Sequence, residues 1–117
     1  MLDVRPSPIA GTWYEGNKET LARVVDNFLN NAQLPALDGE VIGVIAPHAG
    51  HQYSGAVAGY AFAVIKELKP DLVAVISPFH NYSNHPLLTT AHDAYGTTLG
   101  RIEVDKSAMA ELSSHLD

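Results

Sequence analysis

Two histidines in this 117-residue chain stand where metal chemistry would need them. In VIAPHAGHQYSG (44–55), His48 comes two residues after the apolar run VIGVIA (41–46) ends at Ala46. In LVAVISPFH (72–80), His80 comes three residues after Ser77. Both runs are short, continuous and rich in β-branched residues, the pattern of strands buried on two faces of a parallel sheet. As parallel neighbours they would deliver both imidazoles to one carboxyl edge, where open α/β sheets bind ligands. Adjacent strands lie about 4.8 Å apart and a metal-bound imidazole nitrogen stands roughly 2.1 Å from its ion, so the two rings can share a cation. His48 and His80 are therefore the expected metal ligands. The chain has no cysteine, which removes a thiol nucleophile and leaves imidazole and oxygen as donors.

The flanking residues fit a built site. Pro47 directly before His48 and Pro78 two before His80 stiffen each turn by fixing φ near about −65°. Gly50 and Gly55 let the chain turn into a helix expected to start near Ser54, whose first N–H groups would hold an anionic part of a ligand. A lone imidazole at a strand end is more often a hydrogen-bonded structural residue than a ligand. The matched placement of two is what points to metal. Ser54 has no base placed beside it, so helix capping explains it better than nucleophilic catalysis. GHQYSG lacks the lysine of a P-loop and does not read G-x-G-x-x-G. His51, His85, His92 and His115 share no geometry that the sequence reveals, and Asp93 and Glu103 read as solvated carboxylates.

The elements that must position these residues follow from pattern. RPSPIAGTWYEG, with two prolines and two glycines, predicts an irregular arm with Trp13 and Tyr14 packed onto the body or walling a pocket. NKETLARVVDNFLNNA predicts a helix with Leu21, Val24, Val25, Phe28 and Leu29 on one face and Asn17 as its cap. SGAVAGYAFAVIKELKP predicts a largely buried helix whose small residues approach the sheet closely and which stops before Pro70. Strand, helix and strand then form a right-handed βαβ unit. LLTTA and RIEV read as two further strands joined through the turn-rich DAYGTTLG, and DKSAMAELSSHL as a helix capped by Asp105.

A formal charge of −6 with no basic cluster speaks against nucleic acid and anionic lipid as partners. The first residues lack the order of a secretory signal and no apolar run approaches bilayer length, so the expectation is a cytoplasmic chain with no membrane contact. At 46% hydrophobic content the expected architecture is an α/β domain, mainly a parallel sheet flanked by helices.

AGTWY, APHAGHQYSGAVAGYAF, SPFH and TTLGRIEVD, in this order, resemble the N-terminal portion of the Memo family (mediator of cell motility), whose bacterial members are the B component of AmmeMemoRadiSam systems. The resemblance spans nearly all of residues 1–117, and A-P-H-A-G-x-x-Y-S-G is its most specific segment. It implies a fold related to the LigB-type class III extradiol dioxygenases, with this chain an incomplete domain. By motif, His48 and His80 correspond to metal ligands, and Trp13 and Tyr53 to pocket aromatics where the eukaryotic member is thought to accept a phosphotyrosine peptide. Ser77 stands where the family usually has Gly, Thr98 where it usually has Pro, and His51 where an aromatic is commoner; none of these removes a ligand. The resemblance places the third ligand, a cysteine or similar residue, in a C-terminal half beyond these residues.

Spacing and resemblance together lead to the expectation of a single divalent metal, Fe(II) before Cu or Zn, serving a dioxygenase-like or redox reaction on a small molecule. The alternative is a non-catalytic module that binds an anionic peptide through Trp13, Tyr53 and the backbone near Ser54. Radical SAM and AMMECR-type proteins are the partners that the resemblance implies. An exposed sheet edge would favour a homo-oligomer.

Overall fold

In the computed structural model, which describes residues 1–116, the elements run β1 (Val4–Arg5), α1 (Lys18–Asn31), α2 (His51–Ile65), β2 (Ala94–Thr97), β3 (Gly100–Glu103) and α3 (Lys106–Ser114). The class is α/β, as composition and pattern predict. The sheet is a different one. Its strand order is β1-β2-β3, with β1 and β2 parallel in the register Val4↔Ala94 and Arg5↔Tyr95. The two-residue link between β2 and β3 makes that pair antiparallel, so the sheet is mixed.

The chain divides into two compact units, one formed by Met1–Pro6, Pro70–Gly96 and the residues from Arg101 onward, the other by Ser7–Lys69 with Thr97–Gly100. In the second unit, α1 and α2 pack against each other. The Asn17 side chain accepts the Thr20 N–H at 2.9 Å and so caps α1 as its sequence predicts. Leu21 of α1 and Ala63 of α2 are buried. Helix α2 brings Gly55, Gly59 and Ala63 to one face, each four residues from the next, and this face is covered. A Cβ on Gly55 would lie 2.5 Å from the Phe28 ring, and one on Gly59 would lie 2.6 Å from the Phe28 carbonyl oxygen. The small residues thus admit α1, where the sequence suggested that they admit a sheet.

The N-terminal arm closes on itself before α1. The Ile9 carbonyl accepts N–H bonds from Thr12 and Trp13, at 3.1 and 3.0 Å, and Gly11 donates to the Tyr14 carbonyl at 2.8 Å. Gly11 adopts φ +82°, which a side chain disfavours.

In the first unit the sequence reading succeeds at α3 and at RIEV. The Asp105 carboxylate accepts the Ala108 N–H at 2.9 Å, capping α3. RIEV supplies most of β3, whereas LLTTA (87–91), expected as a strand, is irregular, and the strand beside β3 is Ala94–Thr97, inside the segment read as a turn-rich connection. Ala94 is fully buried at the centre of this sheet. β1 escaped the sequence reading because two residues beside a proline carry no period.

The two runs expected to be parallel strands, 41–46 and 72–77, are not strands. Among the described residues neither makes a backbone–backbone hydrogen bond. Ile42 and Ile45 are 97% and 99% exposed, and Val75 and Ile76 are 84% and 93% exposed. A strand buried on both faces needs a neighbour along its edges and a layer over each face, and the described residues supply neither to these runs. The expected βαβ unit is therefore absent.

Gly59 gives the sharpest test of the helix pair. Alanine is favoured over glycine in a helix interior by about 1 kcal/mol, whereas overpacking a close contact costs about 1–3 kcal/mol. The clashing atom is a backbone oxygen that cannot swing aside, so the clash wins. Gly59→Ala is expected to lower unfolding stability by roughly 1–2 kcal/mol, read by urea titration with far-UV circular dichroism; a gain in stability would mean that the helices stand further apart.

Candidate functional site

The start of α2 is where most of the sequence-predicted residues meet. The helix begins at His51, three residues earlier than expected, with Gly50 as its N-cap and no side-chain cap. Gly50 sits against the arm: a Cβ there would lie 3.3 Å from the Trp13 carbonyl oxygen and 3.7 Å from Cδ2 of Tyr53. The His51 N–H donates to the Trp13 carbonyl at 2.8 Å, tying the helix start to the arm. His48 lies just ahead of this knot, in the irregular stretch between the run 41–46 and α2, and is exposed. Trp13 and Tyr53 are 52% and 79% exposed, and the Trp13 backbone and the edge of the Tyr53 ring lie next to Gly50.

Ser54 is not the cap that the sequence suggested. It lies inside the first turn of α2, and its hydroxyl donates back to the Ala49 carbonyl at 3.1 Å. The amides here are also engaged. His51 donates to Trp13, and Tyr53 and Ser54 donate to the Gly50 carbonyl at 2.9 and 3.2 Å. A helix N-terminus attracts anions because its first N–H groups lack partners, so these bonds leave it a weaker anion site than expected.

His51 proves to be a packing residue. Its ring lies 5.8 Å from that of Tyr14 and 5.9 Å, edge-on, from that of Phe28. Its Nδ1 is buried without a hydrogen-bond partner. An unsatisfied buried polar atom costs about 1–3 kcal/mol, so an imidazole is a costly occupant of this aromatic slot.

His80 is exposed in an irregular stretch of the other unit. Among the described residues no group of three or more His, Cys, Asp or Glu side chains is placed to hold one ion.

A second polar cluster escaped the sequence reading. At the start of the β1–β2 pair, the Asp93 carboxylate accepts the Asp3 N–H at 2.8 Å and meets Lys106 Nζ at 3.2 Å. Nδ1 of His92 lies 3.0 Å from the Asp3 carboxylate, and Lys106 also donates to the Ala91 carbonyl at 2.7 Å. Asp93, a solvent-accessible carboxylate as the sequence suggests, is also the hub that ties β1, β2 and the start of α3 together. The Asp3 N–H first, and the Lys106 ammonium next, hold its carboxyl below the usual carboxylate range. No local pattern signals this cluster, because Asp3 and Asp93 lie far apart in the chain.

Fold and site together define a small α/β chain that sets an exposed histidine just ahead of a glycine-capped helix, pinned there by an aromatic arm. Residues 5–117 match the family model of the Memo-like proteins, and the chain belongs to this family. It is 34% identical over 121 residues to a MEMO1 family protein of Pyrobaculum aerophilum, covering 97% of this chain and 43% of that protein. It is 30% identical to a MEMO1 family protein of Nitrosopumilus maritimus, covering 96% and 42%. With the memo-1 homolog of Caenorhabditis elegans it shares 33% identity, covering 97% and 32%. The chain thus spans less than half the length of these relatives. No helix among its described residues is long and apolar enough to cross a membrane.

The Asp93 cluster predicts a pH dependence. A carboxyl whose pKa falls on folding adds stability that is present above its unfolded value, about pH 4, and is lost as pH falls through the folded value. Asp93→Asn should therefore be less stable than the parent at neutral pH, and the gap should close in acid below about pH 4. Denaturant titrations at several pH values measure it; a gap independent of pH would show that the carboxylate charge contributes nothing.

Proposed function

We propose that this chain carries two ligands of a mononuclear metal site, His48 and His80, in a Memo-like redox protein acting on a small molecule with dioxygenase-like chemistry. The observation that carries the reading is the placement of His48: exposed, preceded by Pro47, and directly ahead of a helix start pinned to Trp13. Membership of the family and the matching position of His80 after Pro78 support it. Imidazole donors with open coordination positions suit Fe(II), with Cu and Zn as the other candidates.

The residues described do not fit a complete centre. Two imidazoles are too few, and no three His, Cys, Asp or Glu side chains are grouped to hold one ion among the described residues. The metal, when bound, would supply Lewis-acid or redox chemistry. The part of this chain is narrower. His48 and His80 would donate nitrogen, Trp13 and Tyr53 would offer aromatic surface beside Gly50, and the hydrogen bond from His51 to Trp13 would hold that surface in place.

Exposure of Trp13 and Tyr53, both next to Gly50, also favours a second reading, a non-catalytic module for an anionic, phosphotyrosine-like peptide. The internal hydrogen bonds of the first turn weigh against it. Metal chemistry is the better supported of the two.

Anaerobic Fe(II) titration of the purified chain separates them. Weak binding is expected, most of it lost in His48→Ala and again in His80→Ala; loading that ignores both substitutions would sink the metal reading. A phosphotyrosine peptide added to the same protein should leave the amide resonances of Gly50–Tyr53 unmoved, and saturable shifts there would favour the binding module instead.

A further inference from the structure

We infer that Gly50 is a positioning residue of the candidate site: the lack of a side chain there lets the N-terminal arm dock on the start of α2, bringing Trp13 to Tyr53 close to His48. The inference rests on the reading that these three residues share one site. All of them belong to the second unit.

Neither of the common uses of a glycine explains Gly50. Its backbone, at φ −54° and ψ 150°, is extended and does not require a missing Cβ. Nor does it serve as a side-chain cap. Asn17 and Asp105 cap α1 and α3 through side-chain oxygens, whereas Gly50 gives α2 none; serine, asparagine and aspartate all rank above glycine at an N-cap.

What a side chain would meet is the arm. Gly50 is buried, and a Cβ on it would lie 3.3 Å from the carbonyl oxygen and 3.6 Å from the Cα of Trp13. Both are backbone atoms, which cannot rotate away as a side chain does. The arm is also braced internally. Thr12 and Trp13 donate N–H bonds to the Ile9 carbonyl, Gly11 donates to the Tyr14 carbonyl, and the Thr12 hydroxyl adds a bond to Ile9 at 2.9 Å. A larger residue at position 50 therefore shifts the arm as one piece. Two residues of chain span at most about 7 Å, so the place where the arm docks is close to His48.

One amide reports the docking. The first N–H groups of a helix have no acceptor within it, and that of His51 donates to the Trp13 carbonyl at 2.8 Å. Its protection from exchange comes from the arm, while amides in the interior of α2 are protected by the helix itself.

Amide exchange of Gly50→Ala and Gly50→Ser, followed by NMR in metal-free buffer, tests the inference. Helix capping ranks Ser above Gly and Gly above Ala; docking ranks Gly above both, because both carry a Cβ. The His51 amide is expected to exchange about tenfold faster in each variant through local opening, with the interior amides of α2 unchanged. The indole N–H resonance of Trp13, the single tryptophan, should shift in each. Adding Tyr53→Ala to Gly50→Ser should restore neither, since the obstacle is the Trp13 backbone. Parent-like protection of His51 in either variant, a loss shared by the interior of α2, or rescue by Tyr53→Ala would each overturn the inference. Because no metal takes part, failure here leaves the Fe(II) titration standing, whereas a failed titration leaves the docking intact and removes the site that it serves.

Discussion

The closeness of α1 and α2 is the constraint on which the second unit depends. Phe28 occupies space that side chains at Gly55 and Gly59 would fill. Across the described residues only Leu21, Ala63 and Ala94 are buried apolar side chains. With so little area removed from water, the fit of two helix backbones matters more than the bulk of any one side chain. Glycine in a helix interior costs about 1 kcal/mol in propensity, and that cost is offset here only because the facing helix comes close enough to use the vacant space.

The same contact sets the start of α2, and through it the candidate site. Phe28 and Tyr14 border the His51 ring, the His51 amide is bound to Trp13, and Gly50 lies too near the Trp13 carbonyl for a larger residue to enter easily. His48 hangs from this arrangement by two residues, so its position is inherited from helix packing and from the folded arm. The cost of the buried His51 Nδ1 is borne by the same few contacts.

Local signals in the sequence were read correctly where the physics is local. Asn17 and Asp105 cap their helices because a side-chain oxygen three residues ahead of an N–H needs nothing distant to reach it. The helical stripe from Leu21 to Leu29 likewise needs only a partner, whichever that is. What pattern cannot supply is the identity of the partner. The glycine face of α2 was legible as a close-approach surface, but the sequence does not say whether a helix or a sheet approaches. β1 was invisible because its two residues are a strand only through Ala94 and Tyr95, and the Asp3, His92, Asp93 and Lys106 cluster is legible only once that pairing is known.

The runs 41–46 and 72–77 sharpen the point, since their composition is that of core strands while their backbone is unpaired. Strand propensity measures fitness for a pleated, half-buried surface and not an intrinsic backbone preference, so an apolar β-branched run with no ladder beside it has no reason to become a strand. Helices close their hydrogen bonds within themselves, and α1, α2 and α3 formed where they were expected, give or take a few residues. Strands borrow theirs from neighbours. The histidines follow the same division: His48 stands just ahead of a helix whose start is pinned to Trp13, whereas His80 follows a run that has no ladder beside it among the described residues.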